Sequence, residues 1–147
     1  YRIWYYCIMK VLRIVLDTNI LYAGLYSARG ASFRILRLIE KGEIIPLLST
    51  TLLFEYEDVL KRNQETLRLN HKIIEGLLDN LCSLGEYQKV YFLWRPILSD
   101  PKDDHILELA VASDADMIVT HNIKDFKKSN MVSIKTITPK QLLEGMK

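Results

Sequence analysis

Val11-Leu12-Arg13-Ile14-Val15-Leu16 runs without a break into Asp17-Thr18-Asn19. A short, nearly all-apolar, β-branched run that stops abruptly at polar residues reads as a buried strand of a parallel sheet. Its carboxyl end then faces the edge where open α/β sheets place their sites. The pattern returns far along the chain, where Asp116-Met117-Ile118-Val119-Thr120 runs into His121-Asn122-Ile123-Lys124-Asp125. Between the two lies an acidic cluster, Asp100-Pro101-Lys102-Asp103-Asp104, at the head of an apolar helical stretch. Carboxylates gathered at one sheet edge repel one another, by on the order of 4 kcal/mol per pair at ~4 Å and an effective dielectric near 20. A divalent cation is the simplest way to offset that cost.

Outward from the first strand, the chain alternates. Thr18–Gly30 is a long connection with a short helix around Ile20–Tyr26. Ser32 is expected to cap a helix whose buried face carries Phe33, Ile35, Leu36, Leu38 and Ile39 up to Gly42. Ile44–Leu48 is a short second strand. Ser49-Thr50 caps a helix from about Thr51 to Arg62 with Leu52, Leu53, Tyr56, Val59 and Leu60 inward. Asn70–Leu84 repeats apolar residues at helical spacing, and Glu86–Leu93 has strand composition. Asp103–Ser113 reads as a helix, Met117–Thr120 and Val132–Thr136 as strands, and Thr138-Pro139 opens a terminal helix. Alternating strands and helices give an α/β fold, three-layer α/β/α with a central, mostly parallel, Rossmann-like sheet.

A length of 147 residues suits one domain. The apolar fraction of 49% and charged fraction of 26% are those of a soluble globular chain. A net charge of +2 neither marks nor opposes a nucleic-acid binder. Cys7 and Cys82 are far apart and lack zinc-ligand spacing, as expected of thiols in a reducing cytoplasm. No run approaches the length of a membrane span. Tyr1–Ile8 is aromatic and lacks the character of a signal peptide, while Met9-Lys10 precedes the first strand. Residues 1–8 are therefore expected to be an extension and 9–147 the single domain.

Asp17 is the strongest candidate, against the ordinary role of Asp as a cap or turn residue. Thr18 and Asn19 could orient it. Glu55 interrupts an otherwise apolar helix face, with Glu57 and Asp58 as competitors. Asp103 and Asp104 fall in a first helical turn, where negative charge also complements the helix dipole. Asp125 stands among Lys124, Lys127 and Lys128. The histidines are expected to be ordinary surface or helix residues, with His121 the one adjoining the site.

Taken together, IVLDTNI at Ile14–Ile20, STTLLFEYEDVLKR at Ser49–Arg62, DPKDDHILELAVASDADMIVTHNIKDF at Asp100–Phe126 and ITPKQLL at Ile137–Leu143 resemble the PIN domain family of metal-dependent nucleases. The wording is nearest to its toxin–antitoxin branch. The resemblance implies catalytic acids at Asp17, Glu55, Asp103 (with Asp104 as rival) and Asp125. It also implies Mg²⁺ or Mn²⁺ held by Asp17, Asp103 and Asp125, with Asn19, Asp104, Thr120 and Asn122 in support. Relatives often read Thr-Gly-Asp where this chain has Thr120-His121-Asn122, which removes one negative charge from the second cation's side. The implied activity is hydrolysis of RNA phosphodiesters by a cytoplasmic toxin. Its expected partners are RNA, guided by Arg29, Arg34 and Lys124, an antitoxin protein and a second copy of the chain, with no membrane. Three alternatives stand beside it. A haloacid-dehalogenase-type phosphatase would want an acid at Asn19, and a dinucleotide binder would want GxGxxG after the first strand. A degenerate PIN fold that binds RNA or protein without cleaving is the non-enzymatic alternative.

Overall fold

The computed structural model describes residues 11–91, 103–126 and 133–146. The extension at 1–8, Met9, Lys10, Asp100, Lys127 and Lys128 lie outside them.

Five strands form one sheet in the order β3-β2-β1-β4-β5, every neighbouring pair parallel. They are β1 (Leu12–Leu16), β2 (Ile44–Leu48), β3 (Glu86–Tyr87), β4 (Met117–Val119) and β5 (Lys135–Ile137). The helices are α1 (Thr18–Tyr26), α2 (Ala31–Glu40), α3 (Thr50–Arg62), α4 (Gln64–Leu67), α5 (His71–Leu84), α6 (Asp104–Ala112) and α7 (Pro139–Gly145). The register pairs Leu12 with Ile44 and Leu16 with Val119, so the carboxyl ends of β1 and β4 finish side by side.

Strand periodicity divides the core into two. Leu12, Ile14 and Leu16 of β1, with Met117 and Val119 of β4, turn to one face and meet Ile35 and Ile39 of α2 and Leu142 of α7. Val15, Leu47 and Ile118 turn to the other and meet Leu52, Tyr56 and Leu60 of α3, Ile74 and Leu81 of α5, and α6. The sheet is thus covered on both faces, which is why its central strands carry almost no polar residue. Within α6, every residue from Asp104 to Ala110 is buried.

Local chemistry sets the boundaries. Ser49 caps α3 by accepting from Leu52 N–H at 3.1 Å, and Asn70 caps α5 by accepting from Ile73 N–H at 2.9 Å. Thr138 and Gln141 close a reciprocal capping box on α7, with Pro139 at its first position. Three expectations shift. The cap of α2 is Gly30, without a side-chain bond, while Ser32 is buried inside the helix. The strand expected over Glu86–Leu93 ends at Tyr87, with one further ladder bond from Gln88 N–H to the Leu48 carbonyl at 2.7 Å. The last described strand is Lys135–Ile137, one residue past the expected end at Thr136 and preceded by a left-handed turn at Ser133, while the expected start at Val132 lies outside the described residues. The α4 turn had no sequence signal beyond its polar composition.

Candidate active site at the carboxyl ends of β1 and β4

From β1 the chain moves outward to β2 and β3, then returns to the other side of β1 for β4 and β5. The strand order reverses between β1 and β4. In an open α/β sheet the crevice at such a reversal is where ligands bind. Asp17 follows β1 directly there, and its backbone N–H donates to the Val119 carbonyl at 2.9 Å.

The Asp17 side chain is buried and held by neutral donors only among the described residues. One oxygen accepts from Thr18 N–H at 2.8 Å, and the other from the Thr120 hydroxyl at 2.6 Å. Thr120 is itself fully buried and accepts from Asn122 N–H at 3.0 Å. Burial pushes the Asp17 carboxyl above the usual carboxylate value. The bonds from Thr120 and Thr18 offset part of this, Glu55 adds repulsion, and His105 subtracts from it. Asp17 is also the N-cap of α1, but it reaches only Thr18 N–H of the first turn. Capping therefore accounts for one of its oxygens and not the other.

Glu55 belongs to α3 and reaches the same crevice. The Thr18 hydroxyl donates to one of its oxygens, and His105 Nε2 meets the other at 2.7 Å. Burial raises the Glu55 carboxyl, but the bonds from His105 and Thr18 and the charge of His105 outweigh it, so the group lies below its ordinary value. The next residue, Tyr56, is buried and donates its hydroxyl to the Leu16 carbonyl at 2.6 Å. Burial and the two neighbouring acids raise its phenol well above normal, so it stays a protonated donor that pins α3 to the end of β1. A single chain of contacts therefore runs Thr120–Asp17–Thr18–Glu55–His105.

Asp103 is half-buried immediately before α6, and Asp104 is fully buried as its first residue. The residue of α6 that meets Glu55, however, is their neighbour His105. Asp125 is half-buried in a turn over residues 123–126, its N–H donating to the Asn122 carbonyl at 3.0 Å. Asn122, Arg29, Arg34 and Lys124 are exposed. His121 is exposed as well, with Nε2 3.5 Å from the Ser32 hydroxyl. Sequence reading passed over His105. A histidine in a helix that is otherwise buried was its available signal, but its partner is 50 residues away.

The donors here are oxygen atoms, which suit Mg²⁺ or Mn²⁺. Asn19 Oδ1, two residues along the chain from Asp17, is buried and has no hydrogen-bond partner among the described residues, an acceptor open to a cation. Among the described residues no three acids or histidines converge closely enough to form a closed cage. Mg²⁺ does not require one. It is commonly held by one or two carboxylates, with waters and substrate phosphate completing the octahedron. The residues present fit such an open site.

The fold and site define a parallel α/β domain with carboxylates at its topological reversal. The family model of the PIN domain matches residues 13–124. The chain belongs to the PIN domain family, whose members are generally nucleases. No curated protein matches the sequence. The fold is similar to a chain in the crystal structure of VapBC2 from Rickettsia felis bound to a DNA fragment from their promoter. The TM-score is 0.60 at 19% identity, covering 86% of this chain and 98% of that one. No helix among the described residues is long and apolar enough to cross a membrane.

Proposed function

We propose that this chain is a Mg²⁺- or Mn²⁺-dependent endoribonuclease and the toxin of a toxin–antitoxin pair, working in the cytoplasm, with residues 9–147 as its PIN domain. The observation that carries the nuclease reading is Asp17, a buried carboxylate held by neutral donors beside a second acid, Glu55. Family membership and the VapBC2-like fold support the toxin reading, with an antitoxin and a second copy of the chain as partners.

Asp17, Asp103 and Asp125 would hold the cation, with Asn19, Asp104, Thr120 and Asn122 in support. When bound, the cation supplies a lowered pKa for the attacking water and charge stabilisation on the phosphate. Thr18 N–H and Thr120 fix the Asp17 carboxylate in one orientation. Glu55, kept ionised by His105 and Thr18, retains lone pairs to accept the proton of the attacking water. Asn122 stands where relatives often have an acid, and this favours one alternative, a PIN fold that binds RNA without cleaving it.

Incubating the full chain with single-stranded RNA and Mn²⁺ distinguishes the two. Cleavage that EDTA stops and Asp17→Asn abolishes supports the nuclease. RNA binding without cleavage at any Mn²⁺ concentration leaves the binding module.

A further inference from the structure

A groove lies behind the Glu55–His105 pair, between the β3 edge and α6, and the mechanism above leaves it unused. Beyond Tyr87 the chain keeps one ladder bond to the sheet, and exposure alternates along it. Tyr87, Lys89 and Tyr91 are exposed, while Gln88 and Val90 are half-buried. The two rings are bare for aromatic groups, 58% exposed at Tyr87 and 81% at Tyr91. They are nonetheless held in place. The Tyr87 and Thr50 hydroxyls lie 2.6 Å apart, and Lys89 Nζ sits over the Tyr91 ring, 5.4 Å from its centroid. Thr50 is the first residue of α3, the helix that carries Glu55.

Two cavities adjoin along this stripe. One of about 240 Å³ is lined by Thr50, Thr51, Tyr87, Lys89, His105 and Glu108. The next, of about 220 Å³, shares Lys89 and Glu108 and reaches Tyr91 and Val111. The wall common to the first cavity and the acid site is His105, whose Nε2 bonds Glu55. Each cavity falls below the roughly 300–1,000 Å³ of drug-sized pockets. That volume suits one flat base rather than a large ligand.

We propose that this stripe and groove bind the single-stranded RNA segment flanking the cleaved bond, which rests on the ribonuclease reading above. Bases stack on Tyr87 and Tyr91, and Lys89 between them meets the backbone phosphate. Stacking rings set beside a cation are how single strands are held without sequence preference. The Glu108 carboxylate would repel a phosphate, so the first cavity takes a base edge, whose amino or ring N–H groups donate to it. A protein partner would call for a contiguous apolar patch. Here hydroxyls, a lysine, a histidine and an acid line the first cavity beside Val90, and the apolar lining of the second is confined to Val90, Val111 and Ala112 beneath Tyr91.

The test is fluorescence anisotropy of the full chain with fluorescein-labelled oligo(A), in EDTA so that binding is read without cleavage. Tyr87→Ala and Tyr91→Ala should each weaken binding about tenfold, the scale of one lost base stack. Tyr87→Phe, which keeps the ring, should bind like the parent. Lys89→Gln should reduce the salt slope by about 0.7, the share of one phosphate contact on a single strand. Tyr91→Ala carries the test if Tyr87→Ala fails to fold, because its ring is almost wholly in solvent. Parental affinity in both alanine variants overturns the proposal and leaves this face to a protein partner. A parent chain that binds no oligo(A) overturns it as well. Tyrosine-dependent binding by a chain that cleaves no RNA with Mn²⁺ sustains the groove and removes the ribonuclease.

Discussion

β1 and β4 lie side by side, and their two ends handle acids in opposite ways. At the amino ends, Arg13 closes the charges. Its guanidinium bonds Glu86 twice, at 3.0 and 2.8 Å, and the Asp114 carbonyl at 3.1 Å. Its backbone N–H donates to the Asp116 side chain at 2.8 Å. Glu86 is thus paired with a permanent cation at the protein surface, while the Asp116 carboxylate is held by the Arg13 backbone. At the carboxyl ends, Asp17 is buried with no Lys or Arg partner among the described residues. The base beside it, His105, is already bonded to Glu55. An acid whose burial is left uncompensated costs stability, and such sites are where a fold departs from its own best energy for function. The difference lies in the missing cation.

The comparison breaks most readily at Asp17. Asp17→Asn should lower RNA cleavage by roughly a hundredfold or more, the scale of removing a preorganised charge from a phosphoryl-transfer site. Its stability should move the other way. The folded carboxyl titrates above its unfolded value, so its favourable contribution is present at acid pH and lost as pH rises through the folded pKa. At neutral pH the ionised group is a burden, and Asp17→Asn should melt at the same temperature as the parent or higher. The two proteins should converge as pH falls below the unfolded value. Denaturation followed by circular dichroism at both pH values checks this, and an unfolded variant would make Asp17 structural.

Glu55→Gln should have the next largest effect, with the opposite sign in stability. Glu55 titrates below its ordinary value, so its contribution is present at neutral pH and lost as pH falls through the folded pKa. The variant should lose about a hundredfold in cleavage, the lower end of the contribution of a general base. It should also lose about 1 kcal/mol at neutral pH as the bond to His105 becomes uncharged. Urea melts at neutral and acid pH would show the deficit only in the first. An equal deficit at both would mean that packing, not charge, holds Glu55.

A smaller change is expected at Asn122, which follows β4 with an amide rather than a carboxylate. Asn122→Asp should tighten Mn²⁺ binding several-fold and bring cleavage to lower metal concentrations. Unchanged affinity would mean that its exposed side chain points away from the cation. The smallest effect belongs to the amino ends. Arg13→Met should cost at most about 1 kcal/mol, as for a surface ion pair, and leave cleavage untouched. A loss of cleavage there would erase the distinction between the two ends.

Both junctions were legible in the sequence because buried parallel strands must be apolar throughout, so Asp17 and Thr120 stand out where the runs stop. The parallel sheet followed from the alternation of elements, and Ser49 and Thr138 announced their helices through capping. Contacts that depend on tertiary distance were not legible. Nothing in α6 signals that His105, rather than Asp103 or Asp104, is the residue that touches Glu55. Thr18 reads as a neighbour of Asp17, yet its hydroxyl turns to Glu55, because α1 starts at that residue. The end of β3 at Tyr87 was equally hidden, since the residues after it keep strand composition while only Gln88 keeps a bond to the ladder.

The claim that the carboxyl ends form a cation site is tested most directly by calorimetric titration of Mn²⁺ into the parent chain and Asp17→Asn at neutral pH. The parent should bind Mn²⁺ with released heat. The variant should bind at least tenfold more weakly while melting no lower than the parent. Equal Mn²⁺ affinity in the two folded proteins would contradict the assignment, and would leave Asp17 as no more than the cap of α1.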